Sequence, residues 1–120
     1  ELARFLQGLG GDIEVNYPGL EESPYHEIAK KQFKNGYGAI VTVRTGSKEK
    51  AFSIINSLKI PLIISNIGDT KTLVIHPEST IAAHISDEEK LQSGVFEDLI
   101  RISVGIEDIE DLKEAIESNR

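Results

Sequence analysis

With 120 residues, 39% of them hydrophobic and 28% charged, the chain suits one soluble domain with a modest core and is neither disordered nor fibrous in composition. A net charge of −7 argues against nucleic acid and anionic membranes as partners, because phosphate would be repelled. The absence of cysteine excludes disulfides and thiolate metal sites and fits a reducing, cytoplasmic setting, and no apolar run approaches the roughly 20 residues that span a bilayer.

The chain opens without Met, in what reads as a helix: Leu2, Phe5, Leu6 and Leu9 recur at helical spacing, and Gly10-Gly11 stops them. Ile13, Val15 and Tyr17 alternate as a short strand that Pro18-Gly19 turns. SPYHEIAKKQF predicts a helix capped by Ser23 with Pro24 in its first turn, broken at Asn35-Gly36. YGAIVTVRT is a strand, and SKEKAFSIINSL a helix with Ala51, Ile54, Ile55 and Leu58 on one face. LIIS (62–65) is a short buried strand, Ile67-Gly68-Asp69 turns the chain, and KTLVIH is a strand ended by Pro77. SDEEKLQSG predicts a helix with Ser86 as N-cap and Glu89 at the capping-box position. LIRISVGI is the last strand, and IEDLKEAIES the last helix, with Ile109, Leu112 and Ile116 on one side.

The expected fold is therefore an α/β two-layer sandwich: a small, mostly antiparallel sheet, some of whose neighbouring strands are joined by short turns, with helices mainly on one face.

Few residues carry a specific chemical signal. His26, His76 and His84 share no metal-ligand spacing and read as separate structural or surface histidines. GLGG at 8–11 follows a helix instead of opening one, so it is a helix stop and not a phosphate loop. In SNIGDTKT (65–72), Asn66 and Asp69 are either turn formers bonding their own backbone or part of a ligand-facing loop. Alternation in DLIRISVGIED sends Ile100, Ile102, Val104 and Ile106 to the core and Leu99, Arg101, Ser103 and Gly105 to the opposite face. Arg101 either points to water or forms a carboxylate clamp, with small Ser103 and Gly105 leaving a groove beside it.

VNYPGLEESPYHEIAKKQF, NIGDTKTLVIHPEST and SDEEKLQSGVFEDLIRISVGIEDIEDL, in this order from about Val15 to Ile116, together resemble the C-terminal domain of the pyridoxal-phosphate enzymes of cysteine and methionine metabolism. The resemblance implies the C-terminal small domain of a fold-type I enzyme. Residues 1–120 would be one substrate-closing domain of a longer protein, whose large cofactor-binding domain is absent. Asn66-Ile67-Gly68-Asp69 is similar to the O-acetylhomoserine sulfhydrylase branch, where lyases and cystathionine synthases usually carry Ser-Leu-Gly-Gly. That branch implies replacement of acetate on O-acetyl-L-homoserine by sulfide or a thiol, giving homocysteine or methionine, with pyridoxal phosphate as electron sink. Methionine γ-lyase, cystathionine γ-synthase and O-succinylhomoserine sulfhydrylase are the alternatives within the family, and a non-catalytic small-molecule-binding module the alternative outside it.

By the same resemblance, Arg101 matches the family's arginine for the substrate α-carboxylate, and Asn66 a loop position beside it. The family's histidine after Ser-Thr is replaced by Ala82, with His84 two residues later. Lys71 has the wrong context for a cofactor lysine. The segment by itself is expected to hold no catalytic, cofactor-binding or metal-binding residue and to be inactive. The implied partners are an amino-acid substrate, the chain's own N-terminal large domain and three further copies in a homotetramer.

Overall fold

The computed structural model describes residues 1–59, 61–63 and 66–118. Among these residues five strands form one sheet in the order β1-β2-β5-β4-β3: β1 is Glu14–Asn16, β2 Ile40–Arg44, β3 Leu62–Ile63, β4 Leu73–Ile75 and β5 Leu99–Ser103. The helices among the described residues are α1 Leu2–Gly8, α2 His26–Gln32, α3 Lys48–Ser57, α4 Asp87–Gln92 and α5 Ile109–Glu117. The sheet is antiparallel except for the β3–β4 pair, which is parallel. The two-layer, mostly antiparallel architecture is the expected one, although the expected reason for it is not. Among the described residues no antiparallel pair is a tight hairpin: α2 lies between β1 and β2, and α4 between β4 and β5.

The core forms where alternation in the strands meets helical spacing. Val41 and Val43 of β2, Val74 of β4, and Ile100 and Ile102 of β5 are buried on one face. Leu2, Ala3 and Leu6 of α1, and Ala51 and Ile55 of α3, pack into the same cluster, with Ile109 and Ile116 of α5 at its margin. Each buried aliphatic side chain contributes about 1.5–3 kcal/mol by leaving water. The helix boundaries have local causes. α1 ends before Gly10 and Gly11, whose φ values of 69° and 70° suit glycine. Ser47 Oγ accepts the Lys50 N–H at the start of α3, and Ser86 and Glu89 form the expected capping box at α4.

Three expectations are corrected. α2 begins at His26, and Ser23 shapes the preceding turn instead of capping the helix: its hydroxyl accepts the Tyr25 N–H and its carbonyl the His26 N–H. Strand β5 stops at Ser103, so the alternation no longer applies beyond it, and Ile106 is 82% exposed instead of buried. Of the expected buried LIIS strand, Leu62 and Ile63 form β3, but Ile63 is 59% exposed, while Ile64 and Ser65 lie outside the described residues.

Candidate functional site

Arg101 sits in mid-strand on β5, with Thr42 of β2 and Ile75 of β4 as its cross-strand neighbours. Ile100 and Ile102 on either side face the core, so pleating sends Arg101 to the opposite face, as alternation predicts. The side chain is half-buried. Its Nη2 donates to the Asn66 carbonyl at 3.3 Å. Its Nε is buried and, among the described residues, has no hydrogen-bond partner. Nor does the guanidinium meet a carboxylate within ion-pair distance among them. Arg44 is on the same face of β2 and differs: it pairs with Asp98 at 3.1 Å and lies over the Phe96 ring at 4.1 Å.

The loop from Asn66 to Thr72 runs beside this arginine, and its polar side chains are occupied with shaping it. Asn66 Oδ1 accepts the Ile67 N–H at 2.9 Å. Asp69 Oδ1 accepts the Lys71 N–H at 3.1 Å and the Thr70 hydroxyl at 3.3 Å. The backbone N–H of Lys71 holds the Asp69 carboxyl below its usual range against desolvation, with the Thr70 donors helping. The turn-forming reading of these residues is thus the observed one. It still brings the loop to Arg101, through the backbone carbonyl of Asn66 instead of its amide.

The expected groove beside Arg101 is filled. Ser103 is buried and its Oγ accepts the Gly68 N–H at 3.4 Å, while the Gly105 N–H donates to Thr72 Oγ1 at 3.0 Å. A Cβ on Gly105 would collide with the Thr70 carbonyl and the Lys71 backbone. The small residues admit the loop, not a ligand. Two residues of this arrangement, Thr72 and Glu107, were not singled out in the sequence. Both Glu107 carboxylate oxygens accept from Thr72, one from its N–H and one from its hydroxyl, each at 2.8 Å. The sequence signal for them was Gly105 itself, a strand-end glycine whose missing side chain marks a close backbone approach.

The histidines are dispersed. His76 is buried, with Nδ1 2.7 Å from Ser79 Oγ and Nε2 2.6 Å from the Glu97 carbonyl, and its ring lies 4.5 Å from that of Phe52. His26 Nδ1 bonds the Pro18 carbonyl at 2.8 Å, and His84 is exposed. No group of three or more His, Asp or Glu among the described residues could hold a metal ion. The lysines do not fit a pyridoxal-phosphate site. Lys48 and Lys90 are paired with Glu78, and Lys113 with Glu1 and Glu110. Lys30, Lys31, Lys34, Lys50, Lys59 and Lys71 are exposed. A Schiff-base lysine needs an enclosed, unpaired setting that none of these offers. No helix among the described residues is long and apolar enough to cross a membrane.

Fold and site together define a small α/β domain that presents a strand-borne arginine, buttressed by a loop carbonyl and without a counter-ion among the described residues. The family model for Cys/Met metabolism PLP-dependent enzymes matches residues 1–119, and the chain belongs to that family. It is 43% identical over 112 residues to a homocysteine synthase of Schizosaccharomyces pombe, covering 92% of this chain and 26% of that protein. Over 100 residues it is 47% identical to O-acetyl-L-homoserine sulfhydrylase 1 of Thermus thermophilus, covering 82% of this chain and 24% of the other. A solved structure described as an O-acetylhomoserine (thiol)-lyase of Campylobacter jejuni, carrying a pyridoxyl-lysine monophosphate, superposes with a TM-score of 0.92 at 33% identity, over 98% of this chain and 28% of that one. The chain therefore spans about a quarter of the length of the curated relatives it matches.

Proposed function

We propose that this chain is the C-terminal, substrate-closing domain of a pyridoxal-phosphate-dependent O-acetylhomoserine sulfhydrylase, a transferase that converts O-acetyl-L-homoserine and sulfide or a thiol into homocysteine or methionine and acetate. Arg101 is its substrate-binding residue for the α-carboxylate, and Asn66 lines the same place. One observation carries the assignment of Arg101: in a chain of net charge −7, this half-buried guanidinium has no carboxylate partner among the described residues. Guanidinium presents a planar fork that binds carboxylate bidentately, and mid-strand placement fixes where the fork sits. The similarity to a homocysteine synthase and a sulfhydrylase supports the choice of reaction.

Pyridoxal phosphate supplies the electron sink for the carbon chemistry, in a large domain that precedes this one. Binding and orienting the amino acid is this domain's share, so the segment by itself is inactive. The same reading carries a homotetrameric, cytoplasmic enzyme, and sedimentation of the full-length protein tests the assembly. The decisive test of the site is Arg101→Ala in the full-length, cofactor-loaded enzyme. Removing one partner of a hydrogen-bonded charge pair costs about 2–5 kcal/mol, so kcat/KM for O-acetyl-L-homoserine should fall roughly thirty-fold or more with cofactor content unchanged. Near-normal efficiency would remove Arg101 from the site. Product analysis with sulfide and either the acetyl or the succinyl ester tests the reaction: homocysteine from the acetyl ester supports it, and 2-oxobutanoate from methionine contradicts it.

A further inference from the structure

The loop that carries Asn66 is fastened to the chain beyond β5 by hydrogen bonds that converge on Glu107. Glu107 Oε2 accepts the Thr72 N–H and Oε1 the Thr72 hydroxyl, both at 2.8 Å. The same hydroxyl oxygen accepts the Gly105 N–H at 3.0 Å, and the Ile106 N–H donates to the Thr70 carbonyl at 2.9 Å. Thr72 is 1% exposed, so this clip is shielded from competing water. At the far end of the loop, the Asn66 carbonyl takes Arg101 Nη2 at 3.3 Å.

Glu107 immediately precedes Asp108, which caps α5 by accepting the Glu110 N–H at 2.8 Å, so an ordinary role at the helix N-terminus is already filled. Burial acts to raise the Glu107 carboxyl, and the Thr72 donors with its own backbone N–H more than offset it, so the group stays ionised. A carboxylate accepting two short bonds is a stronger anchor than a neutral acceptor in its place.

We propose that Glu107 is a positioning residue for the carboxylate site: by clipping Thr72 it fixes the 66–72 loop, whose Asn66 carbonyl holds the Arg101 guanidinium in one orientation. This rests on the reading of Arg101 as partner of the substrate carboxylate. It differs from a purely structural role in what it couples. A structural Glu107 would act on the enzyme whether or not Arg101 is present, whereas a positioning Glu107 acts through Arg101.

The test is a double-mutant cycle in the full-length, cofactor-loaded enzyme, with kcat and KM for O-acetyl-L-homoserine measured at saturating sulfide. Glu107→Ala is made in the parent and in the Arg101→Ala background, and Glu107→Gln in the parent. Residues coupled through one network interact by about 0.5–3 kcal/mol, roughly two- to 150-fold, so Glu107→Ala should raise KM at least two-fold with kcat within about two-fold, and leave KM nearly unchanged once Arg101 is gone. Glu107→Gln, which keeps one acceptor for the Thr72 N–H, should fall between. An equal factor in both backgrounds, or a fall in kcat at unchanged KM, overturns the positioning role while leaving the carboxylate reading intact. An Arg101→Ala enzyme with normal kinetics overturns both. If Glu107→Ala does not fold, Thr72→Val removes the hydroxyl's bonds to Glu107 and from Gly105 while leaving the Thr72 N–H bond to Glu107, and the same cycle applies to it with a smaller expected factor.

Discussion

Replacing Gly105 by alanine tests the packing of the site most directly. The new Cβ would lie 2.5 Å from the Lys71 carbonyl carbon and as close to the Thr70 carbonyl oxygen and a Glu107 carboxylate oxygen. Ordinary carbon contacts are about 3.5–4.0 Å, so the loop would have to retreat by roughly 1 Å, and two of the three blocking atoms are backbone and cannot swing aside. That retreat stretches the Gly105-to-Thr72 bond of 3.0 Å and the Ile106-to-Thr70 bond of 2.9 Å beyond useful length. Two lost hydrogen bonds at about 1 kcal/mol each, plus about 1 kcal/mol or more of overpacking, give a cost of about 2–4 kcal/mol. Gly8→Ala is the control: it lies in the exposed last turn of α1, with nothing within 4 Å of the added carbon, and should stabilise by about 0.5–1 kcal/mol. Calorimetry of the full-length holoenzyme should show Tm falling by several degrees for Gly105→Ala and not for Gly8→Ala, with KM for the amino acid raised only in the former. Indistinguishable Tm and KM for the two variants would refute the claim that Gly105 is small to admit the loop.

Two further outcomes concern stability away from the loop. Glu78 accepts from Lys90 and from Lys48, each at 2.9 Å; these hydrogen bonds, Lys90's first, take its carboxyl from 4.5 down to about 2 against a partial desolvation. A lowered carboxyl pKa stabilises fully above pH 4.5 and loses that stabilisation as pH falls toward 2. Discounted for the exposed Lys48, the pairing contributes about 1–2 kcal/mol. Urea midpoints should therefore be lower for Glu78→Gln at pH 6 and converge with the parent on acidification, whereas a constant gap would contradict the linkage. Asp98 is buried and accepts from Arg44 Nε and from the Gly46 N–H, both at 3.1 Å. Asp98→Ala leaves that N–H without its acceptor and should cost about 2–3 kcal/mol, read as a lower urea midpoint, and an unchanged midpoint would contradict it.

What was legible in the sequence was what is local. The capping box at Ser86 and Glu89 spans three residues and has one geometry, and the face of Arg101 follows from strand pleating alone. Periodicity is silent once a strand stops, which is why Ile106 was expected in the core. β5 ends at Ser103 because the loop from the other side of β4 arrives there and takes the Gly105 and Ile106 N–H groups. Thr72 and Glu107 are 35 residues apart and meet only because β4 and β5 pair, so no spacing rule points to them. Nor did the antiparallel order follow from short turns: α2 intervenes between β1 and β2 and α4 between β4 and β5, and β2 pairs with the non-consecutive β5.

Arg101 and Arg44 show why a sheet arginine here is not simply a solvated one. Both stand on the same face of adjacent strands, at positions that alternation treats alike. Arg44 uses its Nε on Asp98 and its flat face on Phe96, and nothing about it calls for a ligand. Arg101 keeps a buried Nε without a partner among the described residues and has a loop carbonyl where a carboxylate would bind more strongly. The Arg101→Ala enzyme should accordingly hold its Tm to within a few degrees while losing kcat/KM. A large drop in Tm would mean that the guanidinium is a structural part of the sheet.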